Sequence, residues 1–399
     1  MNTRPWPTRL AITILFFING FIVLTWAARI PTVKSSLGLG QAAMGAALLC
    51  ASLGALPGLN IGGALAARFG ARRVATPSGI ALALAVVPIS LAPNLVALAG
   101  ALFVLGACLG LMDVSMNVDA VSVEKLYQRS IMSAFHAFYS WGGLSGAATG
   151  ALAVAYGISP RAEFLAAAAA SISVLLLSGL LPNPILNDKP AAGPAFARPT
   201  RAVLAIGVVA FCVALVEGSM SDWGALYLHG AAKTSLAVAA LGLGAFSVTM
   251  ATGRLAGDRL ADRHGRTRLV RSGFAVCCLG LGLALLVPIG AIGILGLALV
   301  GAGAATIFPL AMSAAGSTRG HPAAHAIAAA ATCGYTAFLV GPVAIGLLAQ
   351  VLSLRVALVL VLGVAATGFT MAGAVAPADG GHPQTVPAIL PSQPRPGRG

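Results

Sequence analysis

Gly63-Ala64-Leu65-Ala66-Ala67-Arg68-Phe69-Gly70-Ala71-Arg72-Arg73 and Asp258-Arg259-Leu260-Ala261-Asp262-Arg263-His264-Gly265-Arg266-Thr267-Arg268 are two versions of one basic, glycine-punctuated turn. Each follows one long apolar run and precedes another. A glycine allows a tight turn out of a helix. Clustered arginines hold a short connection on the cytoplasmic side of a membrane. Ala42-Ala43-Met44-Gly45 opens the run before the first turn, and Ala239-Ala240-Leu241-Gly242 opens the run before the second. The same features recur in the same order, so the chain reads as two parallel repeats.

The rest of the sequence agrees. Of 399 residues, 58% are hydrophobic and only 9% charged, and the mean hydropathy is +0.93. A soluble domain carries about a quarter charged residues, so a water-facing surface of this size is excluded. Apolar runs follow one another, each close to the roughly 20 residues that cross a bilayer. They are continuous and do not alternate as barrel strands do, so all are expected to be helices. The spans fall at 10–28, 41–67, 74–92, 95–119, 131–156, 163–181, 202–228, 236–257, 269–288, 291–312, 325–350 and 354–376. Abundant Gly and Ala suit close helix packing in lipid. The run from Leu10 to Leu24 is read as a retained first helix, since further spans follow it.

The basic residues set the topology. Arg9, Arg68, Arg72, Arg73, Lys125, Arg129, Arg201, Arg254, Arg259, Arg263, Arg266, Arg268, Arg271 and Arg319, with Arg4, Lys189, Arg198, Arg395 and Arg398, fall on one side. Arg29, Lys34, Arg161, Lys233 and Arg355 fall on the other. This asymmetry places both termini in the cytoplasm of a bacterial inner membrane. The net charge of +14 is therefore a topology signal, and no nucleic-acid partner is expected. Residues 1–181 and 201–376 form the two six-helix bundles, 182–200 a cytoplasmic linker, and 377–399 a disordered cytoplasmic tail.

The paired turns resemble the signature loop of the major facilitator superfamily, roughly G-x-L-A-D-R-x-G-R-R, which occurs between helices two and three and again between eight and nine. The resemblance implies about twelve transmembrane helices in two pseudo-symmetric six-helix bundles, an all-α transporter fold. It marks Arg68, Gly70, Arg72 and Arg73, and Asp262, Arg263, Gly265 and Arg266, as gating-loop residues. An acidic residue there can pair with an arginine of a neighbouring helix in one conformation only, which makes a latch. Ala67 stands where the first loop's Asp is expected, and Asp258 replaces the leading Gly of the second. Gly106-x-x-x-Gly110-x-x-Asp113-x-x-x-Asn117 resembles the fucose-permease-like branch, where an acidic residue followed four later by Asn lines the cavity. That branch can carry an Asp in its first helix, whereas this chain has Asn19, Trp26 and Arg29, so no sugar substrate is carried across.

Ionisable groups inside spans are costly and mark function by default. Glu217, deep in helix seven without a basic neighbour on its own helix, and Asp113 are expected to bind and release protons. His136 joins them as a titratable group, unless it only contacts the inner loop. Asp119 and Glu124 lie toward the interface. Asn19, Trp26, Asn117, Tyr139, Trp141 and Tyr335 are candidates to touch substrate; packing and interface anchoring are the competing roles for the aromatics. Gly142, Gly146 and Gly150 form a small-residue packing face. Arg254 and Asp258 are four apart and are expected to pair locally.

No metal site, cofactor motif or nucleophile–base pattern occurs, and no phosphate-cradling loop supports ATP-driven transport. The six cysteines lie in apolar runs as filler. The chain is expected to be no enzyme but a monomeric secondary transporter of a small solute, working in the lipid bilayer by alternating access with protons in symport. Few polar residues line the expected cavity, which disfavours a highly charged substrate. An exporter of amphipathic compounds and a non-transporting sensor are the alternatives.

Overall fold

A computed structural model describes residues 6–39, 41–181, 199–230, 233–234, 236–287, 289–320 and 322–377. The expected linker up to Arg198, the tail beyond Pro377, and Arg4, Lys189, His321, Arg395 and Arg398 lie outside the described residues. Thirteen α-helices follow in order: α1 (Trp6–Ser36), α2 (Gln41–Phe69), α3 (Ala71–Ala85), α4 (Leu95–Tyr127), α5 (Met132–Ala155), α6 (Pro160–Gly179), α7 (Arg201–Gly230), α8 (Leu236–His264), α9 (Arg266–Leu286), α10 (Gly290–Ala304), α11 (Ile307–Gly316), α12 (Ala323–Val351) and α13 (Leu354–Met371).

The two signature turns break the chain identically. Gly70 separates α2 from α3 at φ 90°, and Gly265 separates α8 from α9 at φ 82°. Only glycine enters that region without strain, so one residue suffices to reverse the chain. α1 packs on α5 and α2 on α4 in one bundle; α10 packs on α8 and α9, and α12 on α7, in the other. The bundles meet along α2 against α12 and α5 against α8.

Small residues set the tight contacts. A Cβ on Gly142 or Gly146 would overlap the carbonyls of Phe17 or Phe21, as the packing face on α5 requires. Gly106 and Gly110 press on Ala51 and Ala55 of α2 in the same way. The glycines of the branch-like motif on α4 therefore pack helices, and only its polar residues face inward.

Among the described residues, ten segments are long and apolar enough to cross a membrane. α5 carries His136, Tyr139 and Ser140, and α8 carries Arg254, Asp258 and Asp262. Both line the bundle interface, where protein and not lipid surrounds those groups.

The tenth span breaks into α10 and α11 at Ala305 and Thr306, where continuous helix was expected. Pro309 supplies the reason. It has no N–H to offer the carbonyl four residues back, so the oxygen of Ala305 is released.

Candidate functional site

Between the bundles lies a partly open cavity of about 100 Å³, lined among others by Asp113 and Met116 of α4, His136 and Tyr139 of α5, Glu217 of α7 and Arg254 of α8. Phe308 of α11 and Tyr335 and Phe338 of α12 complete it. Asp113, His136, Glu217 and Arg254 thus converge in one cavity. The expectation of a cavity with few polar residues is corrected: these groups are scattered along the chain but not in space.

Arg254 organises one wall. Its Nη2 donates to both Glu217 oxygens at 3.1 and 3.3 Å, its Nη1 to the Ser140 hydroxyl at 2.8 Å, and its Nε to the released Ala305 carbonyl at 3.4 Å. The guanidinium fork suits three directions at once. Glu217 is therefore not an unpaired carboxylate, and Arg254 does not pair with Asp258 as expected. Arg254 is 7% exposed and belongs to the cavity, not to the topology-setting loop. α8 turns Arg254 and Asp258 to different partners, Arg254 to Glu217 of α7 and Asp258 to the start of α5.

The facing wall is built on α4. Asn117 donates from Nδ2 to the Asp113 backbone oxygen at 2.8 Å and lies 3.4 Å from Asp113 Oδ1. Its own Oδ1 meets His136 Nε2 at 3.3 Å, which assigns the ring proton to Nε2. The His136 ring sits edge-on to Phe16 and Phe308. The second oxygen of Asp113, Oδ2, is buried without a hydrogen-bond partner, and the Tyr335 hydroxyl is the donor that lies beside this carboxyl. At 7% exposure Asp113 is out of reach of headgroup water.

The structure brings Asp113, Asn117, His136, Tyr139, Glu217 and Tyr335 together. It does not bring the other candidates there. Asn19 and Trp26 are buried among the residues of α1 and line no part of the cavity. Trp141 is 48% exposed and does not line this cavity. Sequence reasoning missed Arg254, Phe308 and Phe338 as lining residues. Pro309, a helix breaker beside Phe308, and the unusual Arg254 after Thr252-Gly253 were the available signals.

At the end of the fold where the signature turns lie, carboxylates hold the bundles together. Asp262 accepts from the Ser130 N–H at 2.9 Å, and Asp258 from Ser133 and Ala134 at 2.8 and 2.9 Å. Glu124 accepts from Ile131 and Met132 at 3.1 and 3.3 Å, bonds the Ser313 hydroxyl, and lies 3.6 Å from Arg266. Five consecutive N–H groups at the start of α5 are thereby satisfied, the orphan donors every helix start presents. The expected partner of the loop acid was an arginine; the actual partner is a helix terminus. Glu124 and Asp119 are buried rather than interfacial, Asp119 lying 3.8 Å from Arg72. Arg68 lies over the Phe69 ring, while Arg73 and Arg263 are exposed.

Such a cavity between paired bundles, with a polar lock at one end, defines an alternating-access transporter fold. The family model of the Major Facilitator Superfamily matches residues 10–342 and 225–390, and this chain belongs to that superfamily. It is 36% identical over 352 residues to an uncharacterized MFS-type transporter of Yersinia pestis, covering 88% of this chain and 90% of the relative. It is 30% identical over 358 residues to membrane protein MosC of Rhizobium meliloti, covering 89% and 86%. Among solved structures, FucP in the outward conformation superposes with a TM-score of 0.74 at 14% identity, covering 92% of this chain and 98% of that one. The human organic anion transporter MFSD10 superposes with a TM-score of 0.73 at 14% identity, covering 93% and 100%. The fold is thus that of the superfamily's transporters, the fucose permease included.

Proposed function

We propose that this chain is a proton-coupled secondary transporter that carries a small solute across the bacterial inner membrane, with both termini cytoplasmic. Residues 1–181 and 201–376 rock as two units about the central cavity. The observation that carries the reading is the Glu217–Arg254 ion pair sharing one central cavity with Asp113. A buried Asp113 and a buried Arg254 beside the half-buried Glu217 are costly to keep between two moving bundles for structure alone. Protonating a carboxylate changes the charge buried there and so changes which conformation is favoured.

The acid cluster at the start of α5 is the gate on the cytoplasmic side. Its bonds join the bundles in this conformation and must break when that side opens. Solved structures of this fold belong to transporters named for fucose, for organic anions and for xylose. The fold therefore does not choose the solute, and the cavity residues must.

The test uses purified protein in proteoliposomes, with a solute first found by thermal stabilisation in detergent at two pH values. An inward pH gradient is expected to drive solute flux, and the combined Asp113→Asn and Glu217→Gln variant to lose that drive while keeping a cooperative thermal transition. Full pH-driven flux in the double variant would overturn the proton role.

A further inference from the structure

The cavity's hydrogen-bond ledger is lopsided. All three nitrogens of Arg254 are engaged: Nη2 by Glu217, Nη1 by Ser140 and Nε by the Ala305 carbonyl. Glu217 cancels its charge at 3.1 Å. Asn117 spends its amide on Asp113 and His136. What remains unmet is an acceptor, the Asp113 Oδ2, buried and without a partner. A buried polar atom left unpaired is costly, so a ligand that supplies a donor there gains most.

Charge points the same way. Among the described lining residues the ionisable groups are Asp113, Glu217, Arg254 and His136, with the tyrosines Tyr139 and Tyr335. With the Glu217–Arg254 pair neutral, an ionised Asp113 leaves the cavity with an uncompensated negative charge. Tyr139, Phe308, Tyr335 and Phe338 surround it with ring faces and edges. A carboxylate beside aromatic rings is the environment that receives an ammonium group, through ion pairing and cation–π attraction. An anionic solute would need Arg254, whose charge Glu217 already offsets and whose Nε, Nη1 and Nη2 all donate to protein acceptors.

We propose that the transported solute is a small primary amine, whose ammonium group binds the Asp113 carboxylate. This rests on the transporter reading and names the substrate class of its cavity. The ammonium and the coupling proton then compete for one carboxylate. Loading the protonated site expels the Asp113 proton to solvent while the ammonium keeps its own three. Transport is accordingly exchange of amine for proton, in place of the symport expected from the sequence.

The test is isothermal titration of the purified full chain in detergent with three probes of similar size: isobutylamine, isobutanol and isobutyrate. Each is run in two buffers of different ionisation enthalpy, so that released protons are counted. Isobutylamine is expected to bind, with proton release at a pH where Asp113 is protonated, and isobutyrate not to bind. Asp113→Asn is expected to weaken amine binding tenfold or more while keeping the thermal midpoint; Asp113→Glu is expected to restore part of it. Tighter binding of isobutyrate or isobutanol would overturn the amine assignment and leave the transporter reading standing. Undiminished amine binding by a folded Asp113→Asn variant, or no binding of the amine at all, would also overturn it. Failure of the transporter reading would show separately, as absence of pH-driven flux for any solute that binds.

Discussion

Asp258 on α8 accepts a 2.8 Å hydrogen bond from the backbone N–H of Ser133 on α5, so a carboxylate of one bundle caps a helix of the other. A side-chain cap is ordinarily local to its helix. Here it bridges two rigid units, and its loss acts on conformation as well as on stability.

Replacing Asp258 by Ala removes two of the five capped amides, those of Ser133 and Ala134. The cost is expected near 1 kcal/mol, the usual worth of a helix cap. Hydrogen exchange is the direct readout. The amides of residues 130–134 should exchange severalfold faster in the variant, while those in the middle of α4 stay unchanged. Equal exchange at both places would show that the cap does not hold the bundles closed.

The Glu217–Arg254 pair predicts an asymmetry. Arg254 is the more buried partner, with side-chain exposures of 8% for Arg254 and 26% for Glu217. Removing Glu217 strands a buried cation, whereas removing Arg254 leaves a carboxylate that water can reach. Glu217→Gln should therefore lower the thermal midpoint in detergent more than Arg254→Gln does. The double variant should be less destabilised than the sum, with a coupling of about 0.5–3 kcal/mol for groups in direct contact. Strict additivity would mean the pair is incidental.

Arg29 of α1 and Glu163 of α6 form a second ion pair, with both side chains almost fully buried, and Arg29 also donates to the Ile158 carbonyl at 2.7 Å. The sequence places Arg29 among topology-setting charges on the outer side. The structure turns it inward, where it ties the first helix of its bundle to the last. Glu163→Ala should cost about 3–5 kcal/mol, the price of an uncompensated buried charge. Joint replacement by Met at Arg29 and Leu at Glu163 should recover most of that loss. Thermal unfolding at low and high salt checks both points, since a buried pair is little screened.

What the sequence made legible was whatever is local. The glycine at each signature turn, the small-residue face Gly142, Gly146 and Gly150, and the Asp113–Asn117 spacing all act within one helix or one connection. Partners across helices were not legible. Glu217 and Arg254 are separated by 37 positions and Asp258 and Ser133 by 125, and no periodicity links such pairs. Arg254 was misplaced because its charge fits the positive-inside count equally well whether it faces the loop or the cavity. The break at Ala305 was legible in principle, since Pro309 removes the N–H that would close the helix.

Close packing of α2 on α4 yields the sharpest contrast between two glycines. A Cβ at Gly106 would overlap the backbone carbonyl of Ala51, an atom that cannot rotate away. A Cβ at Gly282 of α9 would meet nothing within 4 Å. Both sit inside helices, so intrinsic propensity favours Ala over Gly at each by up to about 1 kcal/mol. At Gly282 that preference acts alone, and Gly282→Ala should leave the thermal midpoint unchanged or raise it. At Gly106 the helices must separate, and overpacking of this kind costs about 1–3 kcal/mol. Gly106→Ala should lower the midpoint, and Gly106→Leu should prevent folding. If Gly106→Ala and Gly282→Ala behaved alike, the α2–α4 contact would be looser than the structure shows. The small residues along α4 would then serve its flexibility and not its packing.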